Sequence, residues 1–416
     1  MDGAPKSTEQ IRLLLHKAVD IPNPLTVHIG EEVQIDRISG RGVRIYPGCR
    51  ITGAKTVISA GCQLGAEAPA TVDDCLLGPQ VELRGGFFSN AVFLEKARMG
   101  IGAQVREGTI LEEEASGAQC VGLKQTILFP FVTLGSLINF CDCLMAGGTS
   151  RRNHSEVGSS YVHFNYTPNQ DKATASLIGD VPRGVMLNQP PIFLGGQGGM
   201  VGPLRIGYGN VVAAGTILRR DCPEENRLIT APASVGKTTE FIPGSYPDSG
   251  RVLGNNCLYL ANLAALEAWY LHVRESYFAA QEFGALVSAG AREQLTRARQ
   301  ERLTRLRDVA ETLLSPSSPE RGQPARQEER QAFAAAVRRL EGLAAEGLRS
   351  EATDRAAEEF LRAFHRAAGS GRGSYIEAIQ GLPPAVSAQG VTWLHGIVAD
   401  WCAQVSGAVP ALNLFR

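Results

Sequence analysis

The sequence predicts a mainly β fold: a three-sided parallel β-helix of hexapeptide repeats, followed by an α-helical C-terminal region. Three observations lead to this fold class. Large aliphatic residues recur every six positions, small residues stand at a fixed distance from them, and the periodicity becomes helical after about residue 250. Helices have no period of six, and an ordinary strand alternates by two. A period of six therefore indicates a solenoid whose coil has flat sides joined by corners.

The repeat extends from about residue 25 to residue 221 in four frames. The large residues of these frames are Val27, Val33, Ile45, Ile51 and Val57; Cys75, Val81, Phe87, Phe93, Met99, Val105 and Leu111; Thr126, Val132, Ile138 and Leu144; and Leu194, Met200, Ile206, Val212 and Leu218. We expect them to point into a narrow interior, with small residues where space is limited. Positive backbone φ at the corners is predicted for Gly30, Gly48, Gly61 and Gly108.

Changes in composition divide the chain into three parts. An N-terminal helix is expected within residues 1–24, the β-helix with loop insertions over 25–250, and an α-helical domain over 251–416. In the helical domain, a polar, proline-containing run predicts a linker near 315–330. Further helices are predicted at about 331–346, 351–368 and 388–406, with a glycine-rich break at 369–373.

Composition excludes several classes of function. The net charge is -1 and the pI about 6.7, so no global field attracts nucleic acid or an anionic membrane. No apolar run is long enough to span a bilayer, and the N-terminus lacks the features of a signal peptide. Nine scattered cysteines favour reduced thiols. We therefore expect a cytoplasmic protein whose partners are neither nucleic acid nor membrane.

The stretch 153–221 contains the residues that carry chemistry. His154 is followed by Asn165-Tyr166, then by Lys172, by Ile178-Gly179-Asp180, and by Val212-Ala213-Ala214-Gly215-Thr216. This order resembles the acetyltransferase domain of bifunctional N-acetylglucosamine-1-phosphate uridyltransferases, in the hexapeptide-repeat, left-handed β-helix family. The resemblance covers roughly residues 125–225, and no counterpart of the uridyltransferase domain is expected.

The resemblance implies a left-handed solenoid, a homotrimer, and transfer of an acyl group from acetyl-CoA to an amino sugar phosphate or nucleotide-sugar. It implies His154 as the general base, and Asn165 beside it as the second catalytic residue. It also implies that Tyr166 and Lys172 bind substrate and that Ala214 contacts the cofactor. Where the family has basic residues that grip the sugar phosphate, this chain has Cys141-Asp142-Cys143. Gly196 replaces a serine of the family pattern.

Residue chemistry agrees with this assignment and adds to it. A histidine can free an amine near neutral pH, and a carboxylate such as Glu156 can orient the ring. Arg151 and Arg152 are candidates to pair with phosphate. Gly195 and Gly196 would let a cofactor approach the backbone.

Two other functions remain open. The first is a non-catalytic scaffold for sugar-nucleotide binding or assembly, which keeps the β-helix and uses the helices as a docking surface. The second is a zinc-dependent trimer of the carbonic anhydrase type with His154 and His163 as ligands. That site needs three converging histidines, and no third lies nearby in the sequence, so no metal site is predicted. His163 is expected to be structural.

Overall fold

The computed structural model describes residues 6–167, 169, 171–230, 238, 240, 246, 248–315, 324–347, 350–368, 373–412 and 414–415. In this part of the chain, a parallel β-solenoid of about 11 turns is followed by a helical region, which confirms the predicted fold class. Helices hold 41% of residues and strands only 22%. Strands hold the smaller share because each side of a coil contains only a short strand.

The strands, numbered in chain order, form three flat faces, and each strand pairs in parallel with its counterparts one turn away. The first face contains β1 (His28–Ile29), β3 (Arg50–Thr52), β6 (Ala70–Asp73), β9 (Gly86–Ser89), β12 (Ala103–Val105), β15 (Gly122–Leu128), β17 (Asn139–Met145), β21 (Val162–Phe164), β24 (Gly199–Val201) and β27 (Ile217–Leu218). The second face contains the C-terminal halves of β15 and β17 together with β4 (Val57–Ile58), β7 (Leu76–Leu77), β10 (Ala91–Phe93), β13 (Thr109–Leu111), β22 (Ser176–Ile178) and β25 (Arg205–Ile206).

The third face is a separate sheet. It contains β2 (Arg44–Ile45), β5 (Gln63–Leu64), β8 (Glu82–Leu83), β11 (Arg98–Met99), β14 (Ser116–Gly117), β16 (Thr133–Leu134), β20 (Glu156–Val157), β23 (Phe193–Leu194), β26 (Val211–Val212) and β28 (Leu228–Ile229). The short strands β18 (Gly148–Ser150) and β19 (Asn153–His154) form an antiparallel hairpin outside the three faces. Because this hairpin follows β17 and precedes β20, it occupies the edge between the second and third faces.

The strand register explains the six-residue period. Ala91 pairs with Thr109, three hexapeptides further along the chain, so one coil has three sides. The large residues of the four frames are buried, with one exception, and the small residues Ala97 and Ala103 are buried with them. The interior is therefore a continuous apolar column along the solenoid axis.

Two local predictions were wrong. Phe87 lies half-buried on the outer side of β9, and its neighbour Phe88 fills the interior instead. The inward register moves by one residue after the Gly85-Gly86 pair and returns to the predicted frame at Phe93. Gly48, Gly61 and Gly108 take positive φ as predicted, but Gly30 does not.

Helices precede, interrupt and follow the solenoid. They are α1 (Lys6–His16), α2 (Val181–Gly184), α3 (Ser249–Trp269), α4 (Glu275–Ala279), α5 (Gly284–Leu314), α6 (Pro324–Glu346), α7 (Glu351–Ala368), α8 (Tyr375–Gln380) and α9 (Pro384–Ala408). A π-helical turn at Tyr270–Arg274 joins α3 to α4, and three-residue 3₁₀ helices lie at Pro24–Thr26, Ile35–Arg37 and Pro410–Leu412. Helix α6 begins at Pro324, within the stretch near 315–330 that was predicted as a linker. Residues 316–323 lie outside the described residues, as do residues 369–372 of the predicted break at 369–373.

The helical region packs on the second face of the solenoid. Helix α5 contacts β7, β10 and β13, while α3 contacts β22. At this junction the buried guanidinium of Arg274 lies beside the carboxylates of Glu112 and Glu113 and stacks over the ring of Tyr375 at 4.0 Å. Docking of the helices keeps the Arg274 guanidinium beside carboxylates, because leaving it buried without a partner would cost several kcal/mol, on the order of 3–5.

The nine cysteines are all free thiols in this structure. Cys143 is buried inside the solenoid, whereas Cys141 is partly exposed and contacts Asn139. Among the described residues, no helix combines the length and apolar character needed to cross a membrane.

Candidate functional site

The hairpin β18–β19 presents His154. Its Nδ1 lies 3.0 Å from the carbonyl oxygen of Arg151, and its Nε2 lies 3.6 Å from a carboxylate oxygen of Glu156. A carbonyl can only accept a hydrogen bond, so Nδ1 carries the proton in this contact. In the neutral ring, Nε2 then keeps its lone pair. The side chain is 20% exposed, and this arrangement suits a base that receives a proton from outside.

Arg151 lies at the same turn and is anchored to the solenoid. Its Nη1 donates to the carbonyl oxygens of Glu114 (3.0 Å) and Phe131 (3.1 Å) and to Thr133 Oγ1 (2.9 Å). The pKa of Arg151 is lowered first by partial burial and also by the like charge of Arg98, while Glu114 opposes the shift. The hydrogen bonds described for this guanidinium all use Nη1 and neutral acceptors. Its remaining N–H groups are therefore suited to an anion.

A cavity of about 170 Å³ adjoins this turn, lined by Lys96, Arg98, Glu114, Ser116 and Arg151; we call it the cationic cleft. Lys96 also contacts Glu95 at 3.1 Å, and Arg98 approaches Glu82 to 3.8 Å. Three cations and one carboxylate line this small space, and Glu95 and Glu82 beside it each pair with one of the cations, so an anion would bind by competing with these carboxylates.

The cationic cleft continues onto the third face. A groove of about 320 Å³ shares Arg98 and Ser116 with it and extends over Gly100 and Gly117. No sequence pattern points to Lys96 and Arg98, because they lie more than fifty positions before His154 and occupy ordinary outward positions of the repeat. The one clue in the sequence was the length of a solenoid turn, since residues separated by whole turns are brought to the same edge.

Asn165 and Lys172 lie at a different edge, between the first and second faces, in the loop from β21 to β22. The Asn165 side chain donates to Asp142 (3.0 Å), and Asp142 also accepts from Arg302 of α5 (2.5 Å). Arg302 in turn donates to the carbonyl oxygen of Lys172 (2.7 Å). Since Asp142 is 4% exposed and Arg302 is 1% exposed, Asn165 belongs to a buried network that docks a helix.

Other predicted substrate-binding residues are exposed. Tyr166 follows Asn165 and is 61% exposed. Arg152 lies at the tip of the β18–β19 hairpin with its side chain in solvent. Pro168, two residues after Tyr166, lies outside the described residues. Both exposed side chains are free to meet a ligand or a second chain.

The predicted cofactor residues lie at the third edge, between the third and first faces. A Cβ on Gly195 would come within 2.4 Å of the backbone nitrogen of Ala214, and a Cβ on Gly196 within 2.8 Å of the Ser159 carbonyl oxygen. The solenoid's own coils therefore occupy the space above these glycines. By contrast, Ala214 is exposed, and a Cβ added at Gly215 would meet nothing within 4 Å, so this corner is open.

His163 lies inside the solenoid. Its Nε2 is 2.8 Å from Ser176 Oγ, and burial lowers its pKa to about 4. In the residues that the structure describes, no group of three or more His, Cys, Asp or Glu side chains is placed to hold a metal ion. His154 therefore lies on an outer hairpin, whereas His163 lies in the interior of the solenoid.

These features define a hexapeptide-type parallel β-solenoid protein with candidate residues on three edges. No family model matches the chain. The chain is similar to the bifunctional protein GlmU of Carboxydothermus hydrogenoformans, with 27% identity over 224 residues, covering 54% of this chain and 45% of that protein.

Two further relatives carry the same name. The bifunctional protein GlmU of Thermotoga maritima is 27% identical over 221 residues, covering 52% of this chain and 44% of that protein. That of a Geobacillus species is 24% identical over 219 residues, covering 53% and 42%. These matches confirm the resemblance stated from the sequence. The chain spans less than half the length of these curated relatives.

Proposed function

We propose that this chain is an acyl-CoA-dependent N-acyltransferase acting on an amino sugar phosphate, with acetyl-CoA as co-substrate. The observation that carries the proposal is the His154 ring, whose Nδ1 is held by the carbonyl oxygen of Arg151, a residue that also lines the cationic cleft. The similarity to GlmU proteins supports the same class of reaction.

In the proposed reaction, His154 acts as the base and the three cations of the cleft bind the phosphate. His154 Nε2 takes a proton from the acceptor amine as its nitrogen attacks the thioester carbonyl. The new N–C bond forms, the C–S bond breaks, and the CoA thiolate leaves and is protonated. Lys96, Arg98 and Arg151 hold the phosphate of the acceptor. These three residues would take the role of the basic residues that the family has where this chain has Cys141-Asp142-Cys143.

A complete site requires more than one copy of the chain. His154, Asn165-Tyr166 and Ala214 occupy three different edges of a single solenoid, so they can meet only where edges of neighbouring chains come together. Outward apolar side chains on the third face support such an assembly. Phe193, Val211 and Leu228 are exposed and aligned in successive coils by the strand register. We therefore include a homotrimer in the proposal.

Assembly is tested by light scattering. The parent should have three times the mass of one chain, and Val211→Asp should shift it toward the monomer. Gln63→Asp, an outward position of the same face on β5, is the matched control and should leave the mass unchanged. A monomeric parent would rule out a site shared between chains.

Activity is tested by mass spectrometry of the N-acetylated product from acetyl-CoA and glucosamine 1-phosphate. His154→Ala should lower kcat by roughly 10²–10⁴-fold, and Arg98→Met should raise KM for the sugar phosphate about tenfold. His365→Ala on α7 and Arg106→Met after β12 remove exposed groups of the same type elsewhere and serve as controls. Full activity of the His154 variant would eliminate the proposed base.

One observation favours a second function, a non-catalytic scaffold. The Asn165 amide is bound to Asp142 and so is already engaged in docking α5. A scaffold of this kind would show neither product nor a heat of binding when acetyl-CoA is titrated calorimetrically. A binding heat in the micromolar range would count against the scaffold.

A further inference from the structure

The β18–β19 hairpin that carries His154 has little support of its own. Strand β18 has three residues and β19 has two, and their pairing is irregular between Gly148 and Ser150. At the base of the hairpin, Gly147 and Gly148 take positive φ values of 101° and 95°, a region in which glycine remains conformationally free. A two-stranded hairpin is only marginally stable by itself in water. Contacts from the rest of the chain therefore help to fix the position of His154.

The C-terminal helical region supplies one of these contacts. Gln380, the last residue of α8, donates through Nε2 to the carbonyl oxygen of Thr149 in β18 (2.6 Å) and to the carbonyl oxygen of Leu187 (3.1 Å). A side-chain amide has two N–H groups, so both are used here. Thr149 Oγ1 in turn accepts from Nδ2 of Asn153 (2.9 Å), the residue directly before His154. Gln380 thus holds the strand that pairs with His154.

The segment that contains Leu187 joins the same hairpin to the helices by a second path. The backbone nitrogen of Gly148 donates to the carbonyl oxygen of Gln189 (3.1 Å). Asn188 Nδ2 lies 3.4 Å from Ser387 Oγ of α9. By bonding to Thr149 and Leu187 together, Gln380 closes this bridge between the hairpin and the helical region.

Helix α8 is itself firmly held, although it has only six residues. Tyr375 and Ile379 are four positions apart, so they share one face of the helix, and both are buried. The Tyr375 hydroxyl accepts from Trp269 Nε1 (2.8 Å), and the Arg274 guanidinium stacks on its ring. The helix therefore presents Gln380 from a fixed base.

The opposite side of the hairpin is held by Arg151, through the hydrogen bonds of its Nη1 to neighbouring coils. The carbonyl oxygen of Arg151 also confines the ring proton of His154 to Nδ1. That hydrogen bond spans the turn of the hairpin, so it depends on both strands staying in register. Freeing Thr149 would let β18 move and would release the imidazole from the one tautomer that Arg151 favours.

We propose that Gln380 is a positioning residue for His154. It ties the β18–β19 hairpin to the helical region and keeps the ring in the tautomer whose Nε2 lone pair is available. The link to catalysis rests on the proposed function, whereas the link to the hairpin does not. Loss of Gln380 should lower kcat and leave KM for the sugar phosphate nearly unchanged, because Lys96 and Arg98 belong to coils of the solenoid rather than to the hairpin.

The test compares Gln380→Met with the parent. Methionine keeps the length of the side chain and removes both donors. Gln380→Glu is a second variant and should act in the same direction, because a carboxylate cannot donate to two carbonyl oxygens. Gln389→Met changes an exposed glutamine of the neighbouring helix α9 and is the matched control.

The first measurement is the tautomer of His154, read from the ¹⁵N chemical shifts of the histidine rings at a pH where the ring is neutral. The signal is assigned by its loss in His154→Ala. We expect the proton on Nδ1 in the parent and in Gln389→Met, and a mixture of both tautomers in Gln380→Met. A side chain that only stabilised the fold would leave the tautomer unchanged.

The second measurement is hydrogen exchange by mass spectrometry. Peptides that span 146–157 should exchange about tenfold faster in Gln380→Met than in Gln389→Met, since each lost hydrogen bond is worth roughly 1 kcal/mol. The third is the N-acetyl transfer assay, in which kcat should fall about tenfold while KM for glucosamine 1-phosphate changes less than about twofold.

The outcomes separate this proposal from the proposed function. An unchanged tautomer and unchanged exchange in Gln380→Met would overturn the positioning role, whether or not the parent is active. An active parent whose kcat is the same in Gln380→Met would overturn it as well. If the parent transfers no acetyl group while the tautomer and the exchange both change, the acyltransferase function fails and the support of the hairpin by Gln380 stands.

Discussion

Arg302→Met is expected to weaken the docking of the helical region by about 3–5 kcal/mol. The parent guanidinium donates to Asp142 at 2.5 Å and to the Lys172 carbonyl oxygen at 2.7 Å. Methionine keeps much of the buried volume but removes both interactions. Asp142, 4% exposed, would then keep only the Asn165 amide as a described donor. The cost comes mainly from this uncompensated buried carboxylate.

The assay is equilibrium urea unfolding followed by far-UV circular dichroism. Four proteins form a cycle: the parent, Arg302→Met, Asp142→Asn and the double variant. The double variant should be more stable than the sum of the single effects predicts, by at least about 1 kcal/mol, because neutralising Asp142 removes the stranded charge. Arg305→Met on the same helix breaks partly exposed pairs with Glu301 and Asp308 and should cost less than about 1 kcal/mol.

Two results would refute this account. One is a loss below about 1 kcal/mol for Arg302→Met, which would mean that the buried pair contributes no more than a surface pair. The other is strict additivity in the cycle, which would mean that Arg302 and Asp142 do not act on each other.

Two further predictions concern stability. Burial raises the pKa of Glu112 to about 7, while Arg274 opposes this shift. Because the folded state holds this proton more tightly than the unfolded state, stability should fall as pH rises from about 4.5 to about 7; Glu112→Gln should flatten that part of a plot of Tm against pH, and an unchanged slope would contradict the assignment. Gly195→Ala should cost about 1–3 kcal/mol in urea unfolding, because its Cβ would strike Ala214. Gly342→Ala, in open space on α6, should instead stabilise by about 0.5–1 kcal/mol; equal losses at the two sites would mean that coil stacking is not the cause.

Much of the architecture could be predicted because the repeat is local. In a solenoid each coil contacts only its neighbours, and each six-residue repeat forms one side of a coil. That is why Val81, Met99 and Leu144 were correctly predicted to point inward. The Phe87 and Phe88 exchange was missed because a one-residue shift leaves the composition of the segment unchanged.

The candidate site was less accessible to sequence reasoning. The pattern around His154 indicated a base, but its hydrogen bond to the Arg151 carbonyl oxygen depends on the β18–β19 hairpin. Lys96 and Arg98 join Arg151 only because stacked coils bring distant positions of the chain to one edge. Asn165 resembles a ligand-binding residue in the sequence, yet in the fold it bonds to Asp142 beside Arg302, which no local pattern connects to it.

Periodicity was enough to predict a solenoid with six-residue sides and the helical region that follows, because periodicity and burial are properties of neighbouring residues; the strand register then showed three sides per coil. The folded chain was needed to show that the predicted base, the asparagine-tyrosine turn and the open alanine-glycine corner occupy three separate edges. Which edge a residue reaches depends on the accumulated length of every insertion before it, and on the helices that pack over the second face. Insertion lengths and helix packing cannot be recognised from any short stretch of the sequence.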